Sequence, residues 1–131
     1  QAGVNISHLS DCFGDEQLIS KLFFYILDNA FKYSDCDRGI VIDISSEVGK
    51  DVVIYSLRDK GIGIPQRHQE KVWNMFYRGE FGLMEDGDGI GLSIAKQIVH
   101  KNYGQIWFES VEHEGTVFYV ELRKSSFPDI S

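Results

Sequence analysis

The stretch GDGIGL at residues 87–92 runs directly into an apolar repeat that predicts a helix from Ile90 to Tyr103. Glycines before a helix leave backbone N–H groups unpaired at the positive end of the helix dipole, where phosphate oxygens bind well. No strand pattern precedes the stretch and no Gly-Lys-Ser/Thr follows it, which argues against a dinucleotide-binding βαβ unit and against a P-loop. We interpret the stretch as an anion site; a flexible linker before a helix is the simpler alternative.

The elements around this stretch do not alternate strictly between strand and helix. A first helix is expected from an N-cap at Asp15 to about Tyr33, and a short helical segment from Pro65 to about Asn74. Strands are expected at residues 4–9, 40–45, 52–57, 105–111 and 116–123, the last two joined by a His-Glu-Gly turn. The helix after residue 90 should end at Gly104 as its C′ residue. Its apolar stripe is Leu92, Ala95, Ile98, Val99 and Tyr103. The class expected is α+β, with helices on one face of a mixed sheet.

The composition is that of an ordinary globular domain with an acidic balance. The chain has 131 residues, 13 Lys and Arg against 20 Asp and Glu, and a formal charge of −7, which would repel the backbone of a nucleic acid. Cys12 and Cys36 lack CxxC spacing, which indicates reduced thiols. No apolar run is long enough to span a membrane, and the first ten residues do not resemble a signal peptide. We expect one domain at residues 1–124 and a flexible tail at 125–131.

A group of polar residues interrupts the end of the first predicted helix. Asn29, Lys32 and Tyr33 are spaced at i, i+3 and i+4, so they share one helix face. A buried Asn needs partners for its amide, and Mg²⁺ with its oxygen ligands is one such partner. Lys32 could reach a phosphate as a point charge, and the ring of Tyr33 could pack on a nucleotide. The alternative is an Asn satisfied within the core and a Lys whose charge lies in solvent.

The segment DKGIGIP at residues 59–65 follows a predicted strand. By the strand period of two, Asp59 lies on the same face as the apolar residues of 53–57. A carboxylate among apolar groups needs a hydrogen-bond donor, and the exocyclic amine of adenine would be one. Gly61 and Gly63 would let the backbone approach a flat base closely. A turn with an Asx cap is the alternative.

The segment FYR at residues 76–78 precedes an acidic, Gly-rich run at residues 79–89 that we interpret as a mobile loop. Arg78, at the edge of that loop, could fold in to bind a terminal phosphate through bidentate hydrogen bonds. An apolar hinge with a solvated Arg is the alternative.

Taken in order, the four segments resemble the N, G1, F and G2 boxes of the GHKL ATPase superfamily. They are most similar to the catalytic domain of two-component sensor histidine kinases, over nearly the whole chain, from Gly14 to about Leu122. The matching stretches are GDEQL at 14–18, DNAFKYS at 28–34, DxGxGIP at 59–65, FYR at 76–78, GxGIGLSI at 87–94, GxI at 104–106 and GTxF at 115–118.

The resemblance implies a Bergerat-type α/β sandwich. Its mixed, mostly antiparallel sheet would have about five strands, with three helices on one face and a mobile ATP lid at residues 79–88. The catalytic residues would be Asn29, which binds Mg²⁺, and Lys32 and Arg78, which contact the phosphates. Asp59 would accept a hydrogen bond from the adenine amine. The residues implied to bind Mg-ATP are Asn29, Lys32, Tyr33, Asp59, Gly61, Gly63, Ile64, Phe76, Gly87, Gly89, Ile90, Gly91, Leu92 and Thr116.

The resemblance also implies the partners. The domain would donate the γ-phosphoryl group of ATP to a His on a separate dimerisation and phosphoacceptor domain, and a response-regulator receiver domain would take it from there. It implies a cytoplasmic location, free or as part of a membrane-anchored kinase, and a monomeric isolated domain. His8 lacks the acidic residue and downstream Pro of a phosphoacceptor box, and His68, His100 and His113 are expected at the surface. The chain alone should therefore bind nucleotide without transferring phosphate.

One position departs from the family pattern. Histidine kinases usually have a second Asn four residues before the position of Asn29, and gyrase-type and chaperone-type relatives have a Glu that activates water, whereas this chain has Tyr25. A phenol with a reference pKa of ~10 cannot act as a carboxylate base near neutral pH, so we expect slow ATP hydrolysis. Two alternatives remain open: a Ser/Thr kinase of the anti-sigma type, and a degenerate docking domain with weak nucleotide binding.

Overall fold

The sheet of the domain has five strands in the computed structural model, which describes residues 2–33, 39–74 and 91–125. The strands are β1 (Ala2–Ile6), β2 (Ile40–Val48), β3 (Val52–Asp59), β4 (Gln105–Val111) and β5 (Gly115–Arg123). Their order across the sheet is β1-β2-β3-β5-β4. β1 and β2 run parallel, and every other pair is antiparallel. The expected mixed, mostly antiparallel sheet is confirmed.

Two α-helices lie within the described residues. The first, α1 (Glu16–Lys32), begins at the predicted N-cap, because the carboxylate of Asp15 accepts hydrogen bonds from the N–H groups of Gln17 and Leu18 at 2.9 and 3.2 Å. The second, α2 (Gly91–Lys101), packs against α1. Together they cover one face of the sheet, as expected.

The third predicted helical segment forms two 3-10 helices, Gln66–His68 and Lys71–Trp73. Only Val72 and Trp73 are strongly apolar between residues 66 and 74. Two adjacent apolar residues do not make the i, i+3, i+4 stripe that a surface α-helix buries. Val72 is buried, and the ring of Trp73 packs edge-on against that of Phe118 at 6.2 Å between centroids. The segment is fixed to the sheet by Trp73 and by Gln69, whose Nε2 donates to the carbonyl of Ser110 at 3.3 Å, and it stays short.

The core lies between the helices and one face of the sheet. Alternate residues of β3 are buried, which is the pattern of a strand covered on one side. The largest side chains that are less than 2% exposed are Phe118, Leu22, Ile26, Ile42, Ile64, Leu122, Val53, Val99 and Val120.

The carboxyl end of α2 differs from the prediction. Tyr103, not Gly104, is the C′ residue, with φ of 59°. The N–H of Gly104 bonds to the carbonyl of Val99 at 2.9 Å and that of Tyr103 to His100 at 3.1 Å, which is a Schellman motif. Tyr103 is therefore 68% exposed and does not belong to the buried stripe. Gly104 is needed for another reason, since a Cβ there would lie 2.2 Å from the carbonyl oxygen of Glu121.

β1 also differs from its predicted bounds, because it ends at Ile6 rather than Leu9. The chain then leaves the sheet in a loop held by a hydrogen bond from the N–H of Ser10 to Ser46 Oγ at 3.0 Å, and Leu9 packs against the core from that loop. None of the helices within the described ranges has the length and apolar character that crossing a membrane requires.

Candidate functional site

Asp59 places a buried carboxylate at the end of β3. Its side chain is 9% exposed and lies on the core face of the strand, as its spacing predicted. Burial raises the pKa of Asp59, and hydrogen bonds from the backbone of Gly61 and Thr116 act in the opposite direction. The bond from the Gly61 N–H to Oδ1 is 2.8 Å long, so the Asx turn considered from sequence is present. A carboxylate has about four lone-pair sites, so this one can also accept a hydrogen bond from a ligand.

Gly61 and Gly63 allow close contacts between backbone segments on either side of the loop after β3. A Cβ on Gly61 would lie 2.2 Å from the carbonyl oxygen of Tyr33, to which Ile62 donates its N–H at 2.9 Å. Gly63 has φ of 74°, and a Cβ there would lie 2.3 Å from the carbonyl oxygen of Val111. The loop is therefore fixed between the end of α1 and the β4–β5 turn, and any larger residue would displace it.

A cluster of hydroxyl and amide groups supports the same loop from the β4–β5 hairpin. Ser110 Oγ accepts a hydrogen bond from the N–H of Ile64 at 2.7 Å, donates to the carbonyl of Gly115 at 3.1 Å and lies 2.7 Å from Thr116 Oγ1. Gln69 Nε2 donates to the carbonyl of Ile64 at 2.9 Å. Ser110 and Gln69 were not among the residues predicted for the site. Two hydroxyl residues flanking the predicted hairpin turn, Ser110 and Thr116, were the available signal.

The end of α1 brings the polar residues of the first helix to this loop. Tyr33 is the C-cap, its ring is buried, and its N–H bonds to the carbonyl of Asn29 at 3.1 Å. Asn29 is half-buried. Lys32 Nζ lies 3.1 Å from Asp28 Oδ2, with both side chains partly exposed. An exposed i, i+4 pair of this kind stabilises a helix only slightly, so Lys32 can exchange this partner for another anion.

The amino end of α2 meets α1 one turn before Asn29. Gly91 is the first residue of α2, and a Cβ there would lie 3.2 Å from Tyr25 Cδ1. The next residue, Leu92, is buried. The first N–H groups of a helix point out of its amino end, and Gly91 places this end of α2 beside the face of α1 that carries Asn29.

The structure thus brings most of the predicted site together at one end of the helix–sheet interface. The predicted residues placed there are Asn29, Lys32, Tyr33, Asp59, Gly61, Gly63, Ile64, Gly91, Leu92 and Thr116. The predicted residues Phe76, Arg78, Gly87, Gly89 and Ile90, together with the lid at 79–88, lie outside the described residues. A buried acceptor at one side and helix donors at the other suit a ligand with an amine-bearing ring and an anionic tail.

Comparisons with known proteins agree with this geometry. The family described as histidine kinase-, DNA gyrase B- and HSP90-like ATPases matches residues 14–126. The adaptive-response sensory kinase SasA of Rippkaea orientalis (strain PCC 8801 / RF-1) is 34% identical over 110 residues, covering 84% of this chain and 28% of SasA. The sensor histidine kinase WalK of Bacillus subtilis (strain 168) is 36% identical over 110 residues, covering 82% of this chain and 18% of WalK. The chain thus spans less than a third of the length of either relative.

The fold agrees with that of a solved kinase domain. The catalytic domain of histidine kinase ThkA is similar with a TM-score of 0.73 and 27% identity, over 92% of this chain and 79% of the ThkA chain. This chain therefore belongs to the family of histidine kinase-, DNA gyrase B- and HSP90-like ATPases and is a catalytic domain of the histidine-kinase type.

Proposed function

We propose that this chain binds Mg-ATP for a sensor histidine kinase and donates the γ-phosphoryl group to a His on a separate dimerisation domain. The observation that carries the proposal is the buried carboxylate of Asp59, placed at the end of β3 between the carboxyl end of α1 and the β4–β5 hairpin. Burying a carboxylate costs desolvation free energy, and a hydrogen bond donated by a ligand would offset that cost.

In this proposal the adenine ring binds on the side of β3. Asp59 accepts a hydrogen bond from the exocyclic amine, and Thr116, its neighbour across the sheet, lies beside it. Ile64 and Leu92, both buried, present apolar surface to the base, and Tyr33 packs its ring nearby. Gly61 and Gly63 keep the intervening backbone close to the base.

The phosphates bind on the side of the helices. Mg²⁺, when bound, neutralises charge on the phosphates, and Asn29 Oδ1 is the protein ligand that we assign to it. Lys32 leaves Asp28 to bind a phosphate oxygen, and the N–H groups at Gly91 donate to another. Phosphoryl transfer depends mainly on such positioning and charge neutralisation. Five further residues complete the site in this proposal: Phe76, Arg78, Gly87, Gly89 and Ile90.

The remaining parts of the proposal concern the whole kinase. The acceptor His lies on a dimerisation and phosphoacceptor domain, a response-regulator receiver domain takes the phosphate next, and the reaction is cytoplasmic. We place the domain at residues 1–124 and propose that it is monomeric when isolated; the tail predicted from residue 125 lies, apart from Ser125, outside the described residues. Tyr25 offers no carboxylate to activate water, so hydrolysis of ATP by the chain alone is slow.

Calorimetric titration with ATP, with and without Mg²⁺, tests the proposal. The chain should bind ATP about tenfold more tightly with Mg²⁺, and Asn29→Ala should abolish most of that difference, because the change removes the metal ligand. The control is Asn5→Ala, which removes an exposed amide that bonds to Asp43 in β2. An unchanged Mg²⁺ dependence in Asn29→Ala would contradict the role of Asn29.

A second measurement separates the histidine kinase from the Ser/Thr kinase alternative. The chain is mixed with the phosphoacceptor domain of its own kinase and with labelled ATP, and the product is treated with acid. Phosphohistidine is lost in acid and phosphoserine is not. We expect loss of the label, whereas an acid-stable product would favour the anti-sigma type, and no nucleotide binding at all would favour a docking domain.

A further inference from the structure

The ring of Tyr25 lies against Gly91 and leaves little room for a side chain there. A Cβ added to Gly91 would have Tyr25 Cδ1, Cγ and Cβ as its three nearest neighbours, at 3.2, 3.7 and 3.8 Å. The two residues are 66 positions apart in the sequence and belong to different helices. Their fit therefore fixes where the amino end of α2 sits along α1.

We propose that Tyr25 is a positioning residue for the phosphate side of the site, an inference that rests on the function proposed above. Its ring holds the first turn of α2 against the face of α1 that carries Asn29, four residues further along the same helix. The first N–H groups of α2 then lie at a fixed distance from Asn29, the residue assigned to Mg²⁺, and the phosphates bind between these N–H groups and Asn29.

The ring is itself held in place from α1. Tyr25 packs against the hydrophobic core, and the ring of its neighbour Phe24 makes an edge contact at 5.6 Å between centroids. Leu22, two residues before Phe24, and Ile26, directly after Tyr25, are 0% and 1% exposed. Because the ring is packed in this way, it has little freedom to move. The first turn of α2, which lies against the ring, is therefore held in a fixed position relative to α1.

The base side of the site is built from other contacts. Asp59 is held by backbone groups of Gly61 and Thr116, and Ser110 bonds to Ile64. Tyr25 takes part in none of these bonds. Removing its ring should therefore weaken the binding of the phosphates and leave the binding of the base unchanged, which a change in overall stability alone would not do.

The test is a double-mutant cycle with two ligands, ATP with Mg²⁺ and adenosine. The variants are Tyr25→Ala, Gly91→Ala and the double variant, with thermal unfolding to establish that each is folded at the assay temperature. Tyr25→Phe is the rescue variant, because it keeps the ring. Gly49→Ala is the matched glycine control, since its Cβ would lie 3.2 Å from Val52 Cγ2, in the β2–β3 turn. Phe13→Ala, at an exposed aromatic before α1, is the matched aromatic control.

We expect Tyr25→Ala to weaken ATP binding about tenfold and adenosine binding by less than about twofold. Gly91→Ala should weaken ATP binding by about threefold or more, because its methyl group displaces the ring or the helix end. In the Tyr25→Ala background the same methyl group has room, so it should cause no further loss, and Tyr25→Phe should recover the affinity for ATP. The cycle cancels the higher helix propensity of Ala, which is present in both backgrounds.

Two results would overturn the positioning role. One is an equal loss of ATP and adenosine binding in Tyr25→Ala, and the other is an effect of Gly91→Ala that is as large without the ring as with it. A parent chain that binds adenosine but gains no affinity from the phosphates would contradict the proposed function instead. The parent titration therefore separates failure of the function from failure of the role of Tyr25.

Discussion

The two sides of the proposed nucleotide site are built by different kinds of contact. On the base side, the loop after β3 is fixed by hydrogen bonds to backbone and hydroxyl groups, such as that from Ile64 to Ser110 Oγ at 2.7 Å, and by two glycines with close backbone neighbours. On the phosphate side, the position of α2 depends on side-chain packing between two helices, with Tyr25 over Gly91. A hydrogen bond fixes both the direction and the distance between its two groups, whereas apolar packing fixes mainly the distance.

Because of this difference, we expect the base side to select the nucleotide and the phosphate side to position its phosphates. Discrimination between ligands requires buried polar groups that are left unpaired by the wrong ligand, and the base side has such a group in Asp59. The phosphate side offers backbone donors and an exposed Lys32, which suit any anion. We therefore expect mutations on the base side to change which nucleotide binds, and mutations on the phosphate side to change how tightly its phosphates bind.

The largest effect is expected from Asp59→Asn. The substitution removes the charged acceptor for the adenine amine, so ATP affinity should fall about hundredfold and the preference for adenine over guanine should disappear. Calorimetric titration with ATP and GTP measures both, with Asp51→Asn in the exposed β2–β3 turn as control. ATP binding within about twofold of the parent would remove Asp59 from the site.

Asp59→Asn should also stabilise the fold at neutral pH. Burial raises the pKa of Asp59 above the unfolded value of 3.8, so the folded chain holds the proton more tightly than the unfolded chain. The contribution of the group to stability is then fully present below the unfolded pKa and is lost as the pH rises through the folded pKa. Thermal unfolding should show a higher Tm for Asp59→Asn at pH 7 and little difference in strong acid. A lower Tm at pH 7 would mean that the bonds from Gly61 and Thr116 outweigh burial.

An intermediate effect is expected from Ser110→Ala, which removes the acceptor for the Ile64 N–H. The free energy of unfolding should fall by about 1–2 kcal/mol. ATP and adenosine affinities should fall by the same factor, about threefold to tenfold, because only the base side is loosened. Denaturant titration and calorimetry measure the two, with the exposed Ser45→Ala in β2 as control. A loss of affinity for ATP without a loss for adenosine would show that Ser110 affects the binding of the phosphates, which would contradict the independence of the two sides.

The smallest effect is expected from Asp28→Asn on the phosphate side. The change releases Lys32 from its 3.1 Å ion pair, and the loss of an exposed helix pair costs only about 0.3–0.5 kcal/mol. ATP affinity should rise about twofold and adenosine affinity should not change. The exposed Glu47→Gln in β2 controls for the change in net charge. Weaker ATP binding in Asp28→Asn would show that the carboxylate itself helps to hold the nucleotide.

Much of the fold and of the site followed from local patterns. The period of two placed Asp59 on the buried face of β3, and the N-cap at Asp15 was found where the sequence indicated it. The alternation of apolar residues also gave the strands of the two hairpins to within a few residues. Such features depend on neighbours in the chain, so a sequence alone contains them.

The contacts that complete the site were decided only by the tertiary structure. Ile64 bonds to Ser110 because the loop after β3 crosses to the β4–β5 turn, and the ring of Tyr25 contacts Gly91 because α2 packs on α1. Tyr103 likewise takes the left-handed position expected for Gly104, since the Schellman bonds fix the end of α2 and Gly104 must pass close to β5. Sequence periodicity tells which way a side chain points along its own element. The order of strands and the packing of helices decide what it meets there, and those depend on residues far apart in the chain.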